Sequence, residues 1–260
     1  MGASAIRIGN VEIIPLLDTA AEAPWAALFP DVAAEAWVPH KEFLSDDGSK
    51  LTLAISSFLV RSSGKTVLVD TGIGAKDRPF FPNGRLPEAI AEAGVKIEDI
   101  DIVLATHIHI DHVGWHTTAR DGGFVPTFPK ATHVFNRDEW AYWTQPDVAK
   151  ATPYVVDCVQ PLEGVADISL VDGEHRLTDE LTLCAGSCGP GSLHFINGLY
   201  ESHRNRAPVV LIASQVVRDE LGFEFPQEVD FKSVYQAGTV FCEEVRTPAQ
   251  ARRMTAMAAQ

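Results

Sequence analysis

Three histidines and one aspartate stand within six consecutive positions of the chain, directly after an apolar run that ends at Ala105. Neutral imidazole and carboxylate groups suit zinc and, less selectively, iron or manganese. Residues two apart in an extended segment point the same way, so His107 and His109 can bind one ion. Asp111 and His112 follow the strand end and can turn toward a second ion. The spacing therefore predicts a metal site on a loop at the end of a buried strand.

A pair of metal ions held in this way favours one kind of chemistry. Two adjacent ions polarise a carbonyl or phosphoryl group and hold a hydroxide between them at neutral pH. The cluster therefore indicates hydrolysis. Any one of these histidines, taken alone, is better explained as an ordinary surface or core residue, and it is the grouping of all four donors that favours a metal.

Composition and length limit what the protein binds and where it works. With 21 basic and 35 acidic residues among 260, the net charge is −14, which repels a nucleic-acid backbone or an anionic membrane. We therefore expect a small-molecule substrate, with no nucleic-acid or membrane partner, and the sequence leaves the oligomeric state open. The first residues lack the apolar core of a secretion signal, and no apolar run approaches the ~20 residues of a membrane span. We expect a cytoplasmic protein with a single domain over residues 1–260.

Strands dominate the first part of the chain. Val11–Leu17 and Leu53–Val60 are apolar-rich strand candidates, and the second leads through a Gly-containing turn into Thr66–Asp70, which predicts a hairpin. Ala20–Ser49 has no clean period and is interpreted as a long loop over the surface or the site entrance.

Further elements alternate toward the C-terminus. Pro87 suits a first helical position, and Ile100–Ala105 is predicted to be the strand that carries the histidine cluster. Asn136 can cap the next helix, which holds Trp140 and Trp143. Three more strands and a last helix are predicted, at Leu181–Leu183, Leu193–Ile196, Val209–Val217 and from Thr247–Pro248.

Two of these segments resemble a known family. Thr106–Trp115 resembles the signature loop of the metallo-β-lactamase superfamily, and Leu68–Gly72 resembles the strand and turn that precede it there. Asn136–Trp143 and Val171–Gly173 are similar to the lactonase-like metallo-hydrolase branch. The resemblance implies an α/β (α+β) fold, a four-layer αββα sandwich with the metals at one edge between two sheets.

The resemblance also implies roles for single residues. His107 and His109 would bind the first zinc, and Asp111 and His112 the second. Asp111 would be the catalytic residue, because it would orient the attacking hydroxide and could pass a proton to the leaving group. Asp70 would support the metal-binding loop from behind.

From about residue 184 the chain departs from the family pattern. Cys188 stands nearest the expected third histidine of the first metal, and Ser214–Gln215 replaces the expected bridging aspartate. The sequence ends at Gln260 before the last family histidine, so the C-terminal part is interpreted as divergent or truncated, with the last strand and helix among the elements it could lack. Cys188 and His194 are weak candidates for replacement ligands, since each is more often an ordinary buried or strand residue.

Three functions remain open at this point. The favoured one is a zinc-dependent hydrolase of a small lactone, ester or related carbonyl compound, with one or two zinc ions. The alternative is a degenerate family member with weak or no metal binding that acts as a binding or regulatory protein. Redox chemistry at a non-haem iron site is the third, and it is expected to need the missing carboxylate bridge.

Overall fold

The computed structural model describes most of the chain, and the chain divides into two compact units. The first unit comprises residues 1–6 and 12–170, and the second comprises residues 7–11 and 171–260. The single domain expected from the length stays a prediction. The described residues are 5–8, 10–79, 81–172, 175–179, 182–183, 190–193, 195–206, 209–213, 215, 221–222, 228–247, 250, 253–254 and 257–258.

A mixed sheet is the frame of the first unit. The strands up to residue 171 are β1 (Ile6–Ile8), β2 (Val11–Pro24), β3 (Lys50–Ser62), β4 (Lys65–Val69), β5 (Ile102–Leu104), β6 (Thr117–Arg120), β7 (Gly123–Pro126), β8 (Thr132–Asn136) and β9 (Asp167–Val171). Two of the three residues of β1 belong to the second unit. Six of them neighbour one another in the order β2-β3-β4-β5-β8-β9. Strands β2, β3 and β4 pair antiparallel, whereas β4, β5 and β8 pair parallel, and β6 and β7 form a separate hairpin.

Short helices connect these strands. They are α1 (Trp25–Leu28), α2 (Leu86–Glu92), α3 (Arg137–Trp143), α4 (Pro146–Ala151) and α5 (Pro153–Cys158), with 3₁₀ segments at Ala34–Phe43, Ile97–Asp99, Gly114–His116 and Gln160–Leu162. The Asn136 side chain caps α3 by accepting hydrogen bonds from the backbone N–H groups of Asp138 and Glu139. The predicted hairpin, the helix at Pro87 and the Asn136 cap are confirmed.

One expectation for the first unit is wrong in part. Ala20–Ser49 is not a single loop, because β2 continues to Pro24 and pairs with β3 as far as Lys50. The part of β2 from Ala20 to Pro24 lacks a period-two pattern, but its pairing with β3 stabilises it as a strand. Tertiary contacts here outweigh the local sequence pattern. Two short helical segments, Trp25–Leu28 and Ala34–Phe43, fill part of the remainder.

Two hydrophobic clusters fix the sheet and the loop at its end. One packs β3, β4 and β5 against α2, with Leu59, Leu68, Ile90 and Val103 fully buried. The other packs α4 and α5 beneath the histidine cluster and includes Ile108. The loop predicted to bind metal is therefore anchored by its own apolar residue.

The second unit is smaller and holds short elements. They are β10 (His175–Arg176), β11 (Thr182–Leu183), α6 (Pro190–Leu193), α7 (Ile196–Asn205), α8 (Phe231–Tyr235) and a 3₁₀ turn at Gln236–Gly238. Strands β10 and β11 pair antiparallel, which confirms the strand predicted at Leu181–Leu183 over its two described residues. Within the described residues no helix is both long and apolar enough to cross a bilayer.

Two predicted strands of the second unit are wrong. Leu193 ends α6 and Ile196 begins α7, so both ends of the segment predicted as a strand are helical. Within Val209–Val217, the described residues 209–213 and 215 form no strand. A short apolar run does not distinguish a buried strand from a helix or a coil, so periodicity alone could not settle either segment.

Two buried histidines lie in the core of the first unit. His116 Nδ1 and His133 Nδ1 are 2.8 Å apart, and His133 Nε2 donates to the Phe128 carbonyl at 3.3 Å. His116 therefore donates through Nδ1, and its Nε2 is left as a buried acceptor with no partner among the described residues. Burial lowers the pKa of both imidazoles, that of His133 to about 4, so both are neutral at pH 7.

We predict a loss of stability in mild acid that depends on His133. The unfolded histidine takes up a proton as the pH falls below about 6.5 while the folded one stays neutral, so the unfolded state binds more protons between that pH and about 4. His133 should therefore lower the free energy of unfolding by about 1 kcal/mol between pH 7 and pH 5.5. Urea titrations of wild type and His133→Leu at both pH values measure this difference. His40→Ala, at an exposed histidine, is the control, and equal pH dependence in wild type and His133→Leu would contradict the prediction.

Candidate metal centre

Main-chain hydrogen bonds hold the histidine loop against the turn that follows β4. Thr71 N–H donates to the His112 carbonyl at 2.7 Å. Gly114 N–H donates to the Gly72 carbonyl at 2.8 Å, and Trp115 N–H donates to the Thr71 carbonyl at 2.9 Å. The parallel strands β4 and β5 end side by side, so the two connections that leave them meet at one edge of the sheet.

The close contact between these two segments requires glycine at position 114. A Cβ atom there would lie 2.0 Å from the backbone carbon of Ile73, well inside van der Waals contact. No other residue fits without moving one of the two segments. The loop therefore has little freedom where it leaves the site.

Asp70 supports the loop from the end of β4. Its carboxylate accepts hydrogen bonds from the backbone N–H of Thr106 at 2.8 Å and from the Thr106 hydroxyl at 2.9 Å. It also accepts from His112 Nδ1 at 2.8 Å. Because Nδ1 of His112 is engaged in this way, Nε2 is the nitrogen left to bind a metal, and a carboxylate behind an imidazole is the usual support of a metal-binding histidine.

The imidazoles of the loop lie close together. Ring centroids of His107 and His109 are 4.5 Å apart, and those of His107 and His112 are 4.0 Å apart. Ile108 between the first two is fully buried, whereas His107 is partly buried and His109 is exposed, so the apolar side chain of the loop faces the core.

Asp111 and His112 are spaced as two ligands of one ion would be. Asp111 Oδ2 lies 3.5 Å from His112 Nε2. Two donors, each about 2.0 to 2.2 Å from a tetrahedral zinc ion, are about 3.4 Å apart. The donor set thus fits zinc in composition and, for this pair, in separation.

Protonation of the site follows from these contacts. Burial lowers the pKa of His107, and the neighbouring His112 and His109 lower it further, which leaves a neutral imidazole able to bind metal. The hydrogen bond to His112 lowers the pKa of Asp111, so its carboxylate is ionised. Burial alone would lower the pKa of His112, but the hydrogen bonds to Asp111 and Asp70 outweigh burial and raise it to about 9. A metal ion therefore competes with a proton at His112.

The side chains of His107, His109, Asp111 and His112 do not converge on one point. Among the residues that the structure describes, no group of three or more His, Cys, Asp or Glu side chains is arranged to hold a metal ion. The donors come together as neighbouring pairs, and the ligand roles assigned to them stay predictions. The weak candidates Cys188 and His194 lie outside the described residues.

Glu139 of α3 belongs to the site and was not singled out from the sequence. Its carboxylate accepts from the backbone N–H of Ile108 at 2.9 Å and from the Trp143 indole at 3.0 Å. The Trp143 ring in turn meets the edge of His109, with centroids 5.6 Å apart. The only signal in the sequence was an acidic residue three positions after the cap Asn136, a position that usually serves the helix end.

Tyr154 is a second residue of the site that was not singled out from the sequence. Its hydroxyl donates to the Ile108 carbonyl at 3.4 Å. Burial and the nearby charges of Glu139 and Asp111 raise the pKa of this hydroxyl to about 12, so Tyr154 is neutral at pH 7. Glu139 and Tyr154 together hold both polar groups of the Ile108 backbone.

Comparison with known proteins identifies the family of this arrangement. The model of the metallo-beta-lactamase superfamily matches residues 52–224, a range that contains both segments of the site. The fold is similar to that of a probable metal-dependent hydrolase from Staphylococcus aureus, with a TM-score of 0.56, 21% identity, and coverage of 72% of this chain and 68% of that one. It is also similar to AidC, a dizinc quorum-quenching lactonase, with a TM-score of 0.55, 20% identity, and coverage of 69% and 64%. The predicted α/β fold is confirmed, and at these identities the two structures show the fold alone.

Curated relatives match shorter stretches. An uncharacterized 42.6 kDa protein of Pseudomonas amyloderamosa is 47% identical over 77 residues, which are 30% of this chain and 19% of that protein. YdaP of Bacillus subtilis (strain 168), named as a candidate thiamine pyrophosphate-containing protein, is 36% identical over 74 residues, 28% of this chain and 13% of YdaP. Pyruvate oxidase of Lactiplantibacillus plantarum is 32% identical over 60 residues, 23% and 10% of the two chains. The chain spans less than a fifth of the length of each of these three relatives.

We predict that His107 and His109 are needed for zinc binding. The protein should retain about one zinc ion per chain after dialysis, and the His107→Ala, His109→Ala double variant should retain less than about a tenth of that, because it loses two imidazole donors. Elemental analysis of both proteins measures the metal content. His40→Ala is the control at a distant histidine and should keep its zinc. Equal zinc in wild type and the double variant would refute this assignment.

Proposed function

The chain belongs to the metallo-beta-lactamase superfamily, and on that premise we propose that it is a zinc-dependent hydrolase of a small lactone, ester or related carbonyl compound. The observation that carries this proposal is the pairing of Asp111 and His112 at ligand spacing, on a loop that Asp70 fixes from behind. Imidazole and carboxylate donors, without a thiolate in the loop, favour a catalytic over a structural site.

Each loop residue has a task in this proposal. Zinc, when bound, supplies a Lewis acid that polarises a carbonyl and makes water acidic enough to attack at neutral pH. Asp111 is ionised and its side chain is 41% exposed, so its carboxylate can orient water and carry a proton to the leaving group. His112 cannot turn away, because Asp70 holds its Nδ1.

The surroundings of the loop suit a substrate with an apolar body. The Trp143 ring stands edge-on to His109, and Tyr142 beside it is 54% exposed. Aromatic rings next to a polar reacting group are typical of small-molecule sites. AidC, whose fold is similar, is a lactonase, and this supports the lactone class through the shared fold only.

A degenerate family member that binds a partner instead of turning over a substrate is the second candidate. It is favoured by the absence of a third donor converging on the loop among the described residues.

With few ligands and no carboxylate bridge, two adjacent cations would repel each other at close range. We therefore propose one zinc ion rather than two.

We predict that turnover depends on Asp111. Asp111→Asn keeps the size of the side chain but removes the proton acceptor, so kcat/KM for the best substrate in a panel of lactones and aryl esters should fall about 100-fold or more. Asp138→Asn, an exposed aspartate in the first turn of α3, should leave turnover unchanged. Equal turnover in wild type and Asp111→Asn would exclude this mechanism, and no turnover by zinc-loaded wild type would favour the degenerate member.

Gln215 stands where the family pattern expects a bridging aspartate, and its Nε2 donates to the Val229 carbonyl at 2.6 Å within the second unit. A neutral amide at this position supports one zinc ion rather than two.

A further inference from the structure

Asp18 is a buried carboxylate in the first unit that no step of the proposed reaction uses. It lies in β2, where the pairing with β3 shifts register between Leu17 and Thr19. Its residue is fully buried. Among the ion pairs that the described residues form, none includes Asp18. A buried carboxylate without a cation is costly unless several donors offset its desolvation.

Three N–H donors from different segments meet this carboxylate. Oδ2 accepts from the backbone N–H of Ile73 at 2.8 Å. Oδ1 accepts from the backbone N–H of Leu86 at 2.8 Å and from the indole of Trp115 at 2.9 Å. The Asp18 carbonyl also accepts from the Arg85 N–H at 2.9 Å. Burial raises the pKa of Asp18 above its ordinary value, and the hydrogen bonds from Ile73, Trp115, Leu86 and the Gly74 backbone oppose this rise without cancelling it.

The backbone is shaped around this side chain. A Cβ atom at Gly72 would lie 2.1 Å from Asp18 Oδ2, and one at Gly84 would lie 2.2 Å from either oxygen. Only glycine lets both segments approach so closely. The carboxylate of Asp18 therefore fits between Gly72 and Gly84 only because neither residue has a side chain.

We propose that Asp18 is a positioning residue for the metal loop, an inference that rests on the proposed function. The turn at Gly72–Ile73 receives the N–H of Gly114, and Trp115 follows directly in the loop. Asp18 binds Ile73 on one side and the Trp115 indole on the other. It thus joins the turn and the exit of the loop, and the position of His112 depends on both.

Asparagine at position 18 cannot replace this arrangement. The three donors point at both carboxylate oxygens, and an amide offers only one acceptor oxygen. Whichever way the amide turns, its NH₂ group faces at least one buried N–H, which is left without an acceptor. Asp18→Asn should therefore loosen the attachment of the loop while keeping the size of the side chain.

Hydrogen exchange of the metal-free protein tests the attachment directly. We expect the amides of Gly114 and Trp115 and the Trp115 indole to exchange at least tenfold faster in Asp18→Asn, while the hairpin of β3 and β4 is unchanged. Asp101→Asn is the matched control, because Asp101 accepts from the Thr66 N–H near the opposite end of β5. Equal exchange in wild type and Asp18→Asn, or equal acceleration in both variants, would overturn the proposal whether or not the protein binds metal.

Cobalt binding tests the consequence at the site. Titration with Co²⁺ should show an affinity at least tenfold lower in Asp18→Asn and an altered visible absorption spectrum, because the spectrum reports ligand geometry. A purely structural role would lower the melting temperature and leave both readouts as in wild type, which would contradict the proposal. If Asp18→Asn does not fold, Trp115→Phe is the variant to use. It removes only one of the three hydrogen bonds, so it should show a smaller change in the same direction. Absence of cobalt binding in wild type would count against the proposed function and leave the exchange test of Asp18 decisive.

Discussion

The contact between the histidine loop and the turn after β4 is the constraint on which the rest of the site depends. Its backbone hydrogen bonds join residues that are about 40 positions apart, such as Thr71 and His112, and the Thr71 hydroxyl also donates to the His112 carbonyl at 3.1 Å. Asp70 then orients His112 from one side, and Glu139 fixes the backbone of Ile108 from the other. Metal ligands on a loop need this kind of support, because a site is only as well ordered as the groups that hold its ligands.

The site is electrostatically prepared for a cation. Asp111, Asp70 and Glu139 bring carboxylates to the loop, while burial and the neighbouring His112 and His109 lower the pKa of His107. Carboxylates beside a neutral imidazole favour a cation over an anion at this position. The net charge of −14 acts in the same direction, since it favours attraction of a cation over attraction of an anionic polymer.

Much of the first unit could be predicted from the sequence, because its signals are local. The four donors of the loop stand within six positions, the hairpin has a glycine turn, and Asn136 caps the helix that it precedes. Asp18 could not be found in this way, since its partner Trp115 is 97 positions away and the other donors are backbone N–H groups that nearly every residue carries. The apolar run at Val209 was misjudged for a different reason: short apolar runs fit strand, helix and coil alike, and only tertiary packing decides between them.

Zinc X-ray absorption spectroscopy of the purified, zinc-loaded protein tests the proposed metal site most directly. We expect a shell of nitrogen and oxygen donors at about 2.0 to 2.1 Å with the outer scattering of two or more imidazole rings and no sulfur. A sulfur shell at about 2.3 Å, or a zinc ion surrounded by water without imidazole scattering, would contradict it.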